Sequence, residues 1–456
     1  MEPGAGCVHV IGAGLAGLAA AVSLAGAGVP VIVHEAAGYA GGRCRSFYEA
    51  GLGCRIDNGN HLLLSGNSAA SAYLHTIGAG GALTGPARAA FPFVDLATGE
   101  RWTVAPNAGR IPWWIFSPLR RIPGTRPREY LSALRLARAS DTETVRDCVG
   151  DDGALFRRFW EPLTLAALNT SPEDGAALLL WAVVRETFFR GEPHCRPRIA
   201  RDCLAAAFVD PALRYLADRD NCVRLRKRVR EIGYQDGRAV GLSFADGEAI
   251  RLSGSESVVV AVPPAQAADL VPGIVTPLGS RAIVNVHFRV AQGQRASPVI
   301  GVINGLCHWI FVRDGMASVT VSAADALAER PNVDIARRTW AEVSRILTGA
   351  AGPDAPLPAH RIIKEKRATF AQTPSNLARR PGPTTRWRNL FLAGDWTATA
   401  LPATIEGSIR SGNTAAQAVS HARQMLDRTS PSDATSAIGV SEEINRDADK
   451  RCARRS

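Results

Sequence analysis

Val8-His9-Val10-Ile11-Gly12-Ala13-Gly14-Leu15-Ala16-Gly17, running on to Val31-Ile32-Val33-His34-Glu35, is the stretch that decides the fold. From Val8 to Val33 there is no Asp, Glu, Lys or Arg. A run of that length reads at first as a membrane span or a signal peptide. Only Glu2 carries charge ahead of it, so a basic leader is not expected, and glycines and Pro30 interrupt the run. The glycine spacing supports a different reading. Val8 to Ile11 is a short buried strand, an Ala-rich helix covers Leu15 to Ala27, Gly28 ends it, and Val31 to Val33 is the next strand. This is a βαβ dinucleotide fingerprint in its required context. Gly12 permits the tight turn, Gly14 lets a pyrophosphate approach the backbone, and Gly17 lets the helix pack on the strand. The first helical residues, Leu15 and Ala16, offer free N–H groups at the positive end of the helix dipole. Glu35, 23 residues after Gly12, suits the ribose hydroxyls.

Three further segments select flavin over nicotinamide. Gly41-Gly42-Arg43 lets the chain turn over a pyrophosphate and brings a cation to it. Asn389 to Asp395 reads as a strand ending in an acid, followed by a loop to Pro402 and a helix from about Thr404. That helix buries Ile405, Ile409, Ala416 and Val419 at helical spacing, and its N-terminus would favour a developing negative charge. Ser257 to Ala261 is a third buried strand. It follows an arginine-rich strand, Val223 to Ile232, and a hairpin around Gln235-Asp236-Gly237.

The remaining composition bounds the partners. The 456 residues carry a net charge of +11, 21% charged and 46% apolar residues, an ordinary globular balance sufficient for two or three domains. The nine cysteines are scattered without a CxxC pair, which argues against a disulfide framework or a metal site and for a reducing cytosol. Only four basic residues are Lys, namely Lys227, Lys364, Lys366 and Lys450. The positive charge concentrates between Arg101 and Arg138, where eight Arg face one acid, Glu129. Nucleic acid, an acidic substrate and a membrane surface are open on charge alone, but no nucleic-acid recognition motif accompanies the arginines, and nucleic acid is not expected. Within this region lies Ile111-Pro112-Trp113-Trp114-Ile115-Phe116, too short to span a bilayer. Aromatics beside arginines suit a membrane interface, so Trp113, Trp114 and Phe116 are expected to touch lipid, with an internal lid or tunnel wall as the alternative. Ala176 to Val184 reads as a buried or tunnel-lining helix. Pro353 to Pro358 reads as a loop and 427–456 as a disordered tail. There are no internal repeats.

Together the motifs resemble the amine oxidase and phytoene desaturase superfamily of FAD enzymes. A narrower resemblance, to hydroxysqualene dehydroxylases, rests on four stretches. These are Asp57-Asn58-Gly59-Asn60-His61-Leu62-Leu63-Leu64; Phe159-Trp160-Glu161-Pro162-Leu163 with Ala166 to Thr170; Lys364 to Phe370; and Gly394-Asp395-Trp396-Thr397 with Leu401 to Gly407. The family usually has Gln at Asn60 and Gly at Ala400. The resemblance implies an α/β fold in which a Rossmann-like FAD-binding domain (6–90, 220–282, 386–425) is interleaved with an α+β substrate-binding domain (91–219, 283–385), with a membrane-facing segment at 110–121. It places Gly42, Arg43, Asn58, Gly59, Val229, Gly394, Asp395, Ala403, Thr404 and Ile405 against FAD. It implies reductive loss of hydroxyl from hydroxysqualene, giving squalene.

Hydroxide leaves poorly, so an acid must assist. His61 is the candidate acid or the anchor of a water, and it alternatively only binds the loop or flavin. Glu406 is a second candidate, with helix capping as its alternative. Trp160, Asn169, Trp309 and Trp396 are candidate pocket residues, with ordinary core packing as the alternative for each. The implied partners are an isoprenoid substrate, an anionic membrane on the cytoplasmic face and other squalene-pathway enzymes. A carotenoid desaturase, an amine oxidase and a flavin-binding scaffold without turnover are the competing readings.

Overall fold

The computed structural model describes residues 6–150, 153–291, 297–348 and 356–429. The Rossmann unit forms as its sequence dictates. Strand β1 (Val8–Ile11), helix α1 (Leu15–Gly26) and strand β2 (Val31–His34) follow one another, and both strands are buried along their length. They lie in a five-stranded parallel sheet. Its spatial order is β5 (Cys222–Arg224), β2, β1, β6 (Ser257–Val260) and β12 (Leu390–Leu392). Continuous Val, Ile and Leu runs are what a sheet covered on both faces requires. The chain therefore returns to one sheet from its start, its middle and its end.

Helix α5 (Ile405–Thr429) packs on α1 across small residues. A Cβ added at Gly412 would lie 2.2 Å from the Ala16 carbonyl oxygen, so Gly412 sets how closely the helices cross. Because α5 continues to Thr429, the first residues of the expected tail are helical. The rest of that tail, and residues 353–355 of the expected loop at 353–358, lie outside the described residues, while 356–358 have no regular structure.

The second body is a seven-stranded sheet with helix α4 (Asn332–Thr348) packed against it. Its order is β11 (His360–Phe370), β7 (Ser280–Arg289), β10 (Met316–Val321), β9 (Trp309–Arg313), β8 (Val299–Ile303), β3 (Phe91–Asp95) and β4 (Arg101–Val104). All pairings are antiparallel except β8 with β3.

Two expectations need correction. Val223 to Ile232 is not one strand. Arg226 takes φ 56° and turns the chain between β5 and a separate antiparallel strand, Val229–Gln235. The domain boundary near 219 is late, because Ala200, Leu204, Phe208 and Leu216 already pack in the core around α1. One side-chain cluster had no signal in the sequence: ligand atoms of Cys7, His9 and Glu256 lie within 4.8 Å of one another at the starts of β1 and β6. There His9 bonds both Glu256 (3.4 Å) and His34 (3.0 Å). Separation along the chain concealed their meeting.

Candidate active site

One cavity of about 1330 Å³ runs from the first glycine loop to the seven-stranded sheet. At one end Gly12 takes φ 106°, and a Cβ there would sit 2.6 Å from the Ala261 carbonyl oxygen. Gly17 is buried beneath the loop, where a Cβ would meet the Gly12 carbonyl oxygen at 1.9 Å. A Cβ on Gly14 would meet nothing within 4 Å, because that position faces the cavity with Leu15 and Ala16. No side chain caps α1, so its leading amides remain open to an anion. Glu35 also faces the cavity, its carboxylate accepting from the Ala13 and Ala37 amides at 2.7 and 2.8 Å. Val229 and its neighbours Arg228 and Arg230 line this same end.

Gly41 and Gly42, both at positive φ, fold back so that Gly41 N–H donates to the Ala13 carbonyl at 2.8 Å. This aims Arg43 across the cavity at Asp395, 2.7 Å away, with a second bond to the Ala368 carbonyl. The Asp395 side chain is nearly inaccessible, and its partner raises the Arg43 guanidinium above its ordinary range. Arg380 braces the same loop from behind, donating to the carbonyls of Asp395 and Leu401 and to Thr399 Oγ1. Burial pulls Arg380 down to about 10.

The loop then delivers Ala403 and Thr404 to the α5 N-terminus, where Thr404 Oγ1 accepts from Gly407 N–H. Gly394, Ala403, Thr404 and Ile405 all face the cavity. Trp396 lies beneath Gly394 and donates to the Val262 carbonyl. Ala400, which replaces the family's usual Gly, is held at φ 58°, a left-handed conformation that costs an L-residue about 1 kcal/mol.

The 57–61 loop closes the cavity from the sheet side. Asp57 accepts from Ser46 Oγ and the Leu204 amide and fixes the loop, and burial raises its carboxyl. Asn58 Nδ2 donates to Glu365 at 3.2 Å, while its buried Oδ1 has no protein partner. Gly59 also lines the cavity. Asn60, shorter than the family's Gln, reaches Thr320 Oγ1 at 3.1 Å and so ties the loop to the sheet. His61 is half-buried, faces the cavity, and makes no hydrogen bond to the protein among the described residues. Burial first, and Arg43 second, lower its imidazole to about 4, so at neutral pH the ring is uncharged.

These features fit FAD on structural grounds. The open face at Gly14, the uncapped α1 and the guanidinium of Arg43 suit a pyrophosphate. The orphaned Asn58 oxygen and the α5 N-terminus face the same space.

Beyond the loop, an aromatic arm built by Phe91, Phe93, Phe159, Phe188, Trp309 and Phe311 extends the cavity. Helix α3 (Ala177–Glu186) contributes Val183 and Glu186, as expected of a tunnel-lining helix. Of the four candidate pocket residues, Trp309, Asn169 and Trp396 line the cavity. Asn169 is nonetheless fully engaged, holding Thr369 Oγ1 and the Ala323 amide from a left-handed helix cap. Trp160 does not line the cavity. It is buried and donates to Ser132 Oγ. The turn Phe156–Trp160 is π-helical, and its extra residue rotates Phe159, not Trp160, towards the arm. Glu406 borders the cavity, but its carboxylate accepts from Ala69 N–H, Ala70 N–H and Arg410. It caps helix α2 (Ser68–Thr76) as an occupied anion. Of the expected lipid-facing residues, Trp113 and Phe116 are exposed, whereas Trp114 is buried against Tyr130.

Several residues at or behind the cavity wall had no motif to announce them. Asn285, on β7, accepts from Thr320 Oγ1 at 2.9 Å. Arg410 joins Glu186 to Glu406. Glu365, Arg367, Ala368, Thr369 and Phe370 line the cavity from β11, within the Lys364 to Phe370 stretch.

The flavin containing amine oxidoreductase family matches the chain over residues 15–420. A hydroxysqualene dehydroxylase of Rhodopseudomonas palustris is 48% identical over 412 residues, covering 90% of this chain and 98% of that one. Another, from Sinorhizobium fredii, is 47% identical over 409 residues, covering 90% and 97%. Cyclohexylamine oxidase from Brevibacterium oxydans shares the fold, with a TM-score of 0.66 at 17% identity over 93% of this chain and 100% of that one. The chain thus belongs to the flavin containing amine oxidoreductase family, within the hydroxysqualene dehydroxylase group, as an FAD-dependent oxidoreductase, and the cavity beside Arg43 and Asp395 has the chemistry such a cofactor needs.

Proposed function

We propose that the chain converts hydroxysqualene to squalene. One C–O bond breaks and one C–H bond forms, and hydroxysqualene, a proton and anionic reduced FAD give squalene, water and oxidised FAD. The observation that carries this reading is the continuity of the cavity, which joins the flavin cradle to an aromatic arm. Relatives at 47% and 48% identity bear the name hydroxysqualene dehydroxylase. When bound, FAD supplies the hydride. The arm holds a flexible apolar chain and excludes water, which protects an allylic cation from recapture. His61 meets the hydroxyl as a neutral imidazole with unengaged nitrogens, so it positions the oxygen and its departing water and does not store a proton. Glu406, with its carboxylate already bound by three donors, is assigned to the scaffold.

The test is anaerobic incubation of dithionite-reduced holoprotein with hydroxysqualene, following flavin reoxidation by absorbance and squalene by mass spectrometry. Both signals are expected. Failure of both, or peroxide release with an amine instead, overturns the reading. His61→Ala is expected to slow turnover about a hundredfold at unchanged FAD content, with His61→Gln retaining more. Equal loss in both would make His61 the proton donor.

A further inference from the structure

Around the short 3₁₀ turn Trp113–Phe116 the surface is unlike the rest of the molecule. Ile111, Trp113, Phe116, Leu119, Leu131 and Leu134 are all exposed, Trp113 at 63% and Leu119 at 98%. The rings of Trp113 and Phe116 are 6.0 Å apart. Tyr130 ties the two parts of this surface together, with its ring against Trp114 at 5.4 Å and its hydroxyl accepting from the Ile122 amide. Exposed apolar groups on this scale need an occupant.

Charge identifies that occupant. Arg110, Arg120, Arg121, Arg126, Arg128, Arg135 and Arg138 belong to the same segment, and none of them forms an ion pair among the described residues. Arg120 and Arg135 spend single N–H groups on backbone carbonyls only. Glu129 is the segment's one acid. No helix is long and apolar enough to cross a membrane among the described residues. Aromatic and aliphatic side chains surrounded by uncommitted guanidiniums match an anionic bilayer surface, with rings at headgroup depth.

The inner side of the same turn faces the cavity wall. Trp114 and Ile115 pack in one apolar cluster with Phe91, Phe93, Phe159 and Trp309, four residues of the aromatic arm. Just ahead of the turn, the Asn107 carbonyl accepts from Glu192 N–H. A Cβ on Gly191 would lie 2.3 Å from the Gly109 carbonyl oxygen, so this strap is pressed onto the segment that follows Phe188.

We propose that the Ile111–Leu134 face docks on anionic phospholipid and sets the aromatic arm of the cavity next to the bilayer. The docking rests on the surface alone, and its use as the substrate's way in rests on the function proposed above. The FAD-loaded protein is sedimented with vesicles of phosphatidylcholine alone or mixed with phosphatidylglycerol. Binding is expected only with phosphatidylglycerol, and it should weaken as salt is raised. Trp113→Ala/Phe116→Ala should lower partitioning about tenfold or more at unchanged FAD content. Trp113→Phe should still bind but lose quenching by brominated lipid. Turnover of hydroxysqualene in detergent should be equal in wild type and double variant, and turnover from vesicles should fall in the variant. Unchanged partitioning overturns the proposal, as does concentration-dependent self-association that the double variant abolishes, which would make the face a contact between copies. Absence of turnover in both media, with vesicle binding intact, would sink the functional reading and leave the docking standing.

Discussion

Arg43 Nη2 lies 2.7 Å from Asp395 Oδ2, joining the second glycine turn to the loop that precedes the last helix. The carboxylate is nearly sealed from solvent, while the guanidinium is partly open to the cavity. The pair therefore serves two ends: it locks the C-terminal segment onto the N-terminal one, and it keeps a cation at the cavity wall. Arg43→Gln leaves Asp395 without its ionic partner and removes that cation. The expected result is a loss of about 2 kcal/mol in stability, discounted for the exposure of the arginine, together with reduced FAD retention. Thermal unfolding and flavin absorbance after gel filtration read both. Undiminished flavin content would show that the cofactor does not need this charge.

The glycines of the first loop separate folding from binding. Gly17→Ala drives a methyl into the Gly12 carbonyl and should yield little folded protein. Gly14→Ala meets no protein atom, so it should fold with an unfolding temperature near that of wild-type apoprotein yet release FAD on dilution. Comparing apoprotein melting with flavin titration distinguishes the two. Unimpaired flavin binding by Gly14→Ala would place the pyrophosphate elsewhere.

Ala400 is held at φ 58°, where glycine is at ease. Ala400→Gly should stabilise the protein by about 0.5–1 kcal/mol, the relieved strain being partly offset by the freer unfolded chain. A higher melting temperature is the expected readout, and a lower one would mean the methyl's packing outweighs the strain.

Buried and half-buried histidines make the fold sensitive to acid. His34 is lowered to about 3, and His61, His287 and His308 to about 4, in each case chiefly by burial. Between pH 6.5 and those values the unfolded chain binds protons that the native protein refuses. Their stabilisation is complete above pH 6.5 and is lost as the pH falls, by up to about 1.4 kcal/mol per pH unit for each histidine. Asp57, raised by burial, opposes this with a single proton. Unfolding temperatures measured at pH 7.5 and pH 5.5 should fall towards the lower pH, and a flat profile would contradict the burial of these rings.

The parts of the fold legible in the sequence were those whose physics is local. The βαβ unit needs consecutive residues of fixed type, and Gly12, Gly14, Gly17 and Glu35 stand where their spacing put them. Trp160 was misplaced because a single π-helical turn shifts the phase by one residue, and nothing in Phe156 to Trp160 announces it. Trp114 was grouped with Trp113 because neighbours in sequence look alike, whereas a 3₁₀ turn sends them to opposite sides. The ion pair of Glu186 with Arg410, and the bond of Asn285 to Thr320, join residues far apart in the chain. No spacing rule reaches that far.

The five-stranded sheet has a consequence for how the protein is made. Its strands emerge from the ribosome in the order β1, β2, β5, β6 and β12, with the seven-stranded sheet's segments between them. Arg43 is synthesised early and waits on the order of half a minute for Asp395 at bacterial elongation rates. Until α5 is released, the nascent chain carries the glycine loop and half of a cradle, with the Ala16 face of α1 uncovered. A chain cut short before Asp395 is therefore expected to remain colourless, because it carries only half of the cradle.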